Sequence, residues 1–346
     1  MQASLDLAPV TRHMRAMYSS RLLIAAVAHL NVFEQFVDGP KKLAELQSRL
    51  GLKDRPAMVL FPALCAMGML RRDTNGSFAV TEIGCSLTTD GAPNLKGYVE
   101  LEKDDAGAIE MAERLRRDGP IEAPQGIAYT KEGDAASPMD DPAVARFLTL
   151  ALAGRAQYLA PLVADALPRR RAHLLDVAGG TGVFTCEWLL RNPESTATVL
   201  DTASVLAVAV EFRDTYAKRP GGATLRERVQ LLPGDMMTDA LPRADIVLAG
   251  SLFHDWPEPT CEKLAQRFAA ALNPGGELWV HDTFLDDTLD GPLPATEYSG
   301  LLFWFTKGRA YSRAEHRRWF AQAGLVPTET KIPTRVDYGL ISARKQ

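Results

Sequence analysis

The sequence has little cysteine and no pattern in what it has. Cys65, Cys85, Cys186 and Cys261 are scattered over 346 residues with no C-x-x-C pair. Reduced thiols in a cytoplasmic protein are the simplest reading. Near the N-terminus, the longest stretches free of Asp, Glu, Lys and Arg are 22–33 and 57–70. Both are shorter than the ~20 apolar residues a membrane span needs, so no membrane partner is expected. The opening segment MQASLDLAPV lacks a basic region followed by an apolar core, so no secretory signal is expected. Charge of one sign is also missing: 39 Lys and Arg stand against 43 Asp and Glu, a formal net charge of -4. A chain so balanced has no general attraction to phosphate backbones, which argues against nucleic acid as a partner. What is there is ordinary for a globular protein, 46% hydrophobic and 24% charged. The length fits about two domains of roughly 150 residues.

Residues 12–36 read as one helix, with Met14, Met17, Leu22, Ala25, Ala26, His29 and Phe33 recurring at three- and four-residue steps. Asp38-Gly39-Pro40 ends it. Leu43–Leu50 forms a short helix closed by Gly51, and a third helix runs from about Arg55 to Leu70. Thr74-Asn75-Gly76 then turns between two extended runs, a strong hairpin signal. Three helices and a hairpin predict a winged helix. A DNA-reading third helix needs polar and basic side chains, whereas 57–70 carries no charge. A helix apolar on every side is buried on every side. A domain of about 80 residues has little interior of its own. A second copy of the chain is therefore expected to cover it, making a homodimer.

Composition shifts over residues 90–142. Glu102–Arg117 reads as a polar helix and 119–141 as a long loop with Tyr129 as its one aromatic. Asp141-Pro142 caps a helix over 143–167 that carries Phe147, Tyr158 and several leucines. The expected division is 1–95 for the winged helix, 96–142 for a linker and substrate-covering segment, and 143–346 for the second domain.

From 173 on, apolar runs alternate with helical patterns, the signature of a parallel α/β sheet with crossover helices. Strands are expected at 173–178, 197–200, 229–232, 246–252 and 277–281, with a last pair at 326–332 and 336–344. The first ends in Asp176-Val177-Ala178-Gly179-Gly180-Thr181-Gly182. Glycines there admit a ligand close to the backbone, and the next helix presents its positive end. Asp201 ends the second strand, where a carboxylate can take both hydroxyls of a ribose. The dinucleotide pattern G-x-G-x-x-G fails, because Thr185 stands at its third glycine. Asp176 would repel a pyrophosphate but suits an ammonium group. S-adenosylmethionine has an ammonium and a sulfonium and no phosphate, and it fits this set. Gly234-Asp235-Met236 follows the third strand, placing an acid for an adenine amino group and a methionine for the ring face. Leu252-Phe253-His254-Asp255-Trp256-Pro257 follows the fourth. In an open α/β sheet, all of these lie along the C-terminal rim.

Taken together, DVAGGTG, LD, GDM and HDW resemble the small-molecule O-methyltransferases of the caffeic acid and hydroxyindole type, over nearly the whole chain. The resemblance implies a Rossmann-like class I methyltransferase sheet with helices on both faces, and an N-terminal winged-helix dimerisation domain. It implies S-adenosylmethionine as cofactor, S-adenosylhomocysteine as product, and no metal. His254 would be the catalytic base, with Asp282 the carboxylate behind its ring. The cofactor residues would be Asp176, Ala178, Gly179, Gly180, Gly182, Asp201, Asp235, Met236, Ser251 and Trp256. Family members often carry a basic residue four before the histidine, where Gly250 stands here. A second acid would fall on Ala310, where this chain has none.

A histidine suits the base role because its free pKa lies near 6.5, and a phenol becomes a good nucleophile when its proton has somewhere to go. The acceptor is expected to be a small aromatic or polyketide-like metabolite. Tyr129, Phe147, Tyr158, Tyr298 and Phe303 are the candidate lining. Transfer to nitrogen or carbon, or a relative that has lost transfer, remains an alternative. His281, Asp282, Asp286 and Asp287 could also be read as metal ligands, although a dense acid run is more often a solvated loop.

Overall fold

The computed structural model describes residues 5–119, 138–329 and 331–346. Tyr129 and most of the expected 119–141 loop lie outside them. In chain order the elements begin with α1 (Ala8–Ile24), β1 (Lys41–Lys42), α2 (Leu43–Leu50), α3 (Asp54–Ala66), β2 (Leu70–Arg72) and β3 (Ser77–Val80). Next come α4 (Glu82–Cys85), α5 (Lys96–Glu100), α6 (Ala106–Arg117), α7 (Pro142–Ala166), β4 (His173–Val177), α8 (Val183–Arg191) and β5 (Thr196–Asp201). They are followed by α9 (Ala203–Ala217), α10 (Leu225–Arg228), β6 (Val229–Pro233), β7 (Ala244–Gly250), α11 (Glu258–Ala271) and β8 (Leu272–Leu285). The last are α12 (Leu293–Phe305), β9 (Tyr311–Ser312), α13 (Arg313–Gln322), β10 (Leu325–Pro327), β11 (Ile332–Pro333) and β12 (Tyr338–Lys345).

Two compact units form, and they do not follow the linear division expected from the sequence. One holds 1–126 together with 284–313; the other holds 127–283 and 314–346. The first contains the helices and wing of the winged-helix reading, with a three-stranded sheet in the order β1-β3-β2. Asp73 sets the hairpin turn by accepting from the Asn75 and Ser77 amides at 2.9 and 2.8 Å. The expected single helix over 12–36 is instead broken. After α1 the chain widens into a π-turn at Ala25–His29, then tightens into a 3-10 turn at Phe33–Phe36. Ala25, Ala26 and Val27 are buried in succession, more than one α-helical face can hide.

Within this unit α3 buries Pro56, Ala57 and the whole run Val59–Cys65. The apolar helix is buried on every side as expected, but the cover comes from the chain itself. It packs against α1, α2, α6 and α12, so no second copy is required to hide it. The sequence offers Tyr298 and Phe303 as candidate lining and does not show that they stand on α12, a helix packed on the N-terminal core. Phe303 is fully buried there with Leu22, Leu60 and Leu64. Arg55 lies 4.7 Å above its ring. That guanidinium also donates to Asp118 and to the Thr306 and Gly308 carbonyls. Tyr298 is buried with the Arg15 guanidinium 4.1 Å from its centroid. Both rings pack within this unit.

The second unit is built on a sheet of order β10-β12-β8-β7-β4-β5-β6, with β11 beside β12. Strands β4 to β8 are mutually parallel; β12 runs antiparallel to β8, and β10 antiparallel to β12. Strand period decides which side chains face which layer. Leu174, Val199, Ile246 and Leu248 share one core with α7, α8 and α9. Leu175, Val247, Leu278 and Val280, of opposite parity, are also fully buried, so both faces are covered. β8 is longer than expected, because it runs on past the sheet and pairs its end with β9 in the first unit. Among the described residues, α7 is the one helix long and apolar enough to cross a membrane. Its Ala160, Val163 and Ala164 lie in the core of the sheet.

Candidate active site

The glycine loop departs from strand geometry at once. Ala178, Gly180 and Gly182 all take positive φ, between 52° and 68°. A non-glycine residue in that region stores strain, and such residues concentrate at functional sites. Gly179 is required for space: a Cβ there would sit 2.7 Å from a Val199 methyl and 2.8 Å from the Asp176 carboxyl carbon. The loop is held from both sides. The Thr185 hydroxyl donates to Asp176 at 2.7 Å, and the Gly180 amide donates to Asp201 at 2.9 Å. Burial pushes the Asp176 carboxyl up to about 7, against the Thr185 bond and with the Asp201 charge adding. Burial lifts Asp201 to about 6, against the Gly180 and Thr202 amides. A buried and a half-buried carboxylate thus stand within electrostatic reach of each other.

Beyond β6 the chain turns at Asp235, whose carboxylate accepts from the Met237 amide at 2.7 Å and the Thr238 hydroxyl at 3.1 Å. Arg267 pins the Met236 carbonyl at 2.6 Å. These loops enclose a cavity of about 700 Å³ within the second unit, inside the ~300–1,000 Å³ range of small-molecule sites. Asp176, Ala178, Gly179, Gly180, Asp201, Asp235, Met236, Ser251 and Trp256 line it, as expected from the sequence. Gly182 does not; it caps α8.

The α7 wall is different from the expected one. Leu148, Leu152, Arg155 and Leu159 line the cavity, at helical steps of four, three and four. Phe147 is one residue off that face and 70% exposed. Tyr158 lies under the Arg335 guanidinium, 4.9 Å from its centroid, and is not among the lining residues. Neither ring is among the residues that line this cavity. The i, i+4, i+7, i+11 spacing was visible in the sequence, but α7 is apolar over most of its circumference and offers several such stripes. Phe184 is another lining residue the sequence reading missed. Its ring lies 3.2 Å from where a Cβ on Gly250 would be, so the space of the expected basic side chain is partly filled by an aromatic.

At the end of β7, Ser251 also takes positive φ, 54°, with its amide donating to the His281 carbonyl at 2.8 Å. That bend sends Phe253–Asp255 into a 3-10 turn with Phe253 and His254 buried. Phe253 anchors it, stacked on Trp319 of α13 and edge-on to Phe268 of α11. His254 Nδ1 then lies 2.6 Å from Asp282 Oδ1, and the Thr283 amide donates to the same oxygen at 2.8 Å. The shorter aspartate arm reaches the ring directly. Burial alone would raise Asp282, but the His254 charge and hydrogen bond and the Thr283 amide hold it below its usual range. Ionised Asp282 fixes the proton on Nδ1 and leaves Nε2 as the acceptor, with Asp255 3.5 Å away. Burial alone would depress the imidazolium, but the charges of Asp282 and Asp255 prevail and raise it to about 9. Neither His254 nor Asp282 lines the cavity; Asp255, 3.5 Å from His254 Nε2, does.

His281 has a different character. Burial drives it down to about 3, and its ring is stacked on Tyr338 with Nε2 3.0 Å from the Thr334 hydroxyl. It is a neutral packing histidine. Among the described residues, no three His, Cys, Asp or Glu side chains gather as a metal ion would need.

Comparison with known proteins now bears on this geometry. The O-methyltransferase domain of the Methyltransf_2 family matches residues 163–326. A solved structure of an O-methyltransferase family 2 protein from Planctomyces limnophilus, in complex with apigenin, is 35% identical. The match covers 99% of this chain and 97% of that one, with a TM-score of 0.86. The chain belongs to this O-methyltransferase family. Two Streptomyces enzymes are also similar. The 3-hydroxy-5-methyl-1-naphthoate 3-O-methyltransferase of S. sahachiroi is 28% identical, over 91% of this chain and 88% of its own. The tetracenomycin polyketide synthesis 8-O-methyl transferase of S. glaucescens is 27% identical, over 91% and 90%. This O-methyltransferase has the mixed α/β fold of its relatives, and S-adenosylmethionine is its methyl donor.

Proposed function

We propose that this O-methyltransferase methylates a hydroxyl of a small aromatic or polyketide-like metabolite, with His254 as general base and Asp282 positioning its ring. The 2.6 Å His254–Asp282 contact beside the cavity carries the reading. The naphthoate and polyketide relatives and the apigenin complex support the acceptor class.

The cavity residues fit the cofactor. Gly179 leaves a cradle that any Cβ would fill, and Asp176 and Asp201 are carboxylates whose burial a cation would relieve. Asp201, at the end of β5, would take the ribose, and Asp235 and Met236 the adenine. When bound, S-adenosylmethionine supplies an electrophilic methyl group on a sulfonium. The chain's own part is alignment and proton removal. Rigid strand ends and the bent Ser251 backbone hold the walls, which converts encounter into orientation. Nε2 of His254 takes the hydroxyl proton, and Asp282, already bonded to Nδ1, stabilises the imidazolium that results.

Replacement of His254 by Gln or Ala tests this. S-adenosylhomocysteine binding by calorimetry should be retained while turnover falls at least about a hundredfold, the range of a lost general base. Near-normal turnover would remove the assignment.

The same reading makes the enzyme a cytoplasmic homodimer joined through its N-terminal unit. Val10, Met14 and Met17 stand exposed at steps of four and three on α1, a stripe suited to a second copy. A monomeric mass in solution at micromolar concentration would refute the dimer. The four cysteines are free thiols, as a reducing compartment requires.

A further inference from the structure

We infer that Arg267 of α11, which stands outside the cavity lining, is the positioning residue that sets the enzyme's preference for an adenine-bearing methyl donor. It rests on the reading that Asp235 and Met236 take the adenine. The loop that carries them, residues 234–239, lies outside strand and helix, so its backbone groups need partners of another kind. It closes partly on itself. The Asp235 amide donates to the Asp239 carboxylate at 2.8 Å, and the Asp239 amide to the Asp235 carbonyl at 2.9 Å. At its root, the Gly234 amide donates to the Asp201 carbonyl at 3.1 Å. The Met236 and Asp239 carbonyls both go to Arg267, whose Nε donates to Met236 at 2.6 Å and whose Nη2 donates to Asp239. Among the described residues, Arg267 is the one side chain from outside the loop that hydrogen-bonds to it.

A guanidinium is a planar fork with donors fixed relative to one another, so two carbonyls bonded to it are fixed as well. Met236 follows Asp235 directly, and Asp239 is bonded to it, so the clamp holds Asp235 from both sides. The Asp235 carboxylate already accepts from the Met237 amide at 2.7 Å and the Thr238 hydroxyl at 3.1 Å. Those bonds set its plane and leave each oxygen a lone pair for a ligand donor. An amino group suits that acceptor, whereas an oxo group in the same place is repelled. The clamp therefore turns a surface loop into a selective one. The same helix braces the other half of the rim. Phe268, next to Arg267, sits edge-on to Phe253, 5.9 Å between centroids, in the turn that carries His254.

The test compares two probes by calorimetry: S-adenosylhomocysteine, and S-inosylhomocysteine, which has an oxo group where adenine has its amine. Wild type should prefer S-adenosylhomocysteine by at least about tenfold, because a site built to bond a ligand N–H rejects the analogue that lacks it. Arg267→Gln should lose about tenfold in affinity for S-adenosylhomocysteine and less than about threefold for the inosine probe, erasing most of the preference. Arg267→Lys puts one mobile ammonium in place of the fork, so its preference should fall between the two. It carries the test should the glutamine variant fail to fold. Equal losses for both probes would overturn the inference, showing a structural role, and so would an unchanged preference in these variants. Asp235→Asn separates the clamp from the reading beneath it. An asparagine amide can serve either probe, so the preference should vanish. A preference that survives Asp235→Asn, or a wild type that shows none, would defeat the adenine placement and the inference with it.

Discussion

Two ends of one sheet rim treat buried charge in opposite ways. At the β8 end, the Asp282 carboxylate is held down by a histidine 2.6 Å away and a backbone amide. At the β4 and β5 ends, Asp176 is buried and Asp201 half-buried, both with polar hydrogen bonds, and desolvation lifts them to about 7 and about 6. A buried carboxylate without a cation is costly, and protonation is its usual escape. The proton-handling pair is thus complete in the protein alone, whereas the cofactor end is completed by what binds there. The first half is preorganised chemistry and the second is a site with charge still to be matched.

The largest expected effects come from breaking each half separately. Loss of His254 removes proton transfer and leaves cofactor affinity, as set out above. Gly179→Val attacks the other half. Its first side-chain carbon already collides with Val199 and Asp176, and the two methyls beyond it enlarge the overlap. Cofactor affinity should fall by about a hundredfold or more, since overpacking costs roughly 1–3 kcal/mol and the loop donors are displaced as well. A variant that folds, by circular dichroism, and still binds S-adenosylhomocysteine like wild type would contradict this account of the loop.

Asp282→Asn separates positioning from folding. The base must be neutral to accept a proton, so kcat/KM in wild type should rise with pH toward the His254 value of about 9. Without the anion, the imidazolium loses its largest support and that limb should move to lower pH. Turnover should fall roughly tenfold to a hundredfold, because tautomer control and imidazolium stabilisation are both lost. A merely structural aspartate would lower the rate without moving the limb.

The rim was legible because it is a local property. Asp176, Gly179, Asp201, Asp235 and Trp256 each sit at or just after a strand end, and strand ends are readable from short apolar runs. The depth of the N-terminal core was not, because it depends on a contact between α3 and α12, some 240 residues apart in the chain. Apolar character told correctly that α3 is buried but could not say by what. Tyr298 and Phe303 meet the same limit: composition cannot distinguish a ring that lines a pocket from one beneath an arginine. On α7, apolar over most of its circumference, a one-residue step separates the cavity face at Leu148 from exposed Phe147. A reading by residue type favoured the larger ring. Asp282 is implied by the resemblance, but only its 2.6 Å contact with Nδ1 shows that the shorter arm suffices.

Phe303 sharpens the contrast between core and site. If it packs as described, Phe303→Ala should destabilise the fold by about 3–5 kcal/mol, read as a lower midpoint in urea. KM of the surviving folded fraction should stay close to wild type. A raised KM with unchanged stability would return Phe303 to the acceptor pocket.

The smallest effect distinguishes the two halves of the rim most directly, through proton linkage. Asp176 and Asp201 have folded pKa values raised above the unfolded value of about 3.9. The folded protein therefore binds these protons more tightly than the unfolded chain does. Their contribution is most favourable below about pH 4 and is lost as pH rises through about 6 and about 7. His254, raised from 6.5 to about 9, contributes below about pH 6.5, and that contribution is lost as pH rises through about 9. A bound sulfonium and ammonium favour the ionised aspartates. S-adenosylmethionine affinity should thus increase several-fold from pH 5 to pH 7.5 and then level. The shift in Tm that the cofactor produces should widen over the same interval, since stabilisation by a ligand follows its occupancy. Asp176→Asn should flatten that pH dependence and leave the His254 limb of kcat/KM in place. If the two instead move together, the rim is a single coupled network, and the division between its halves fails.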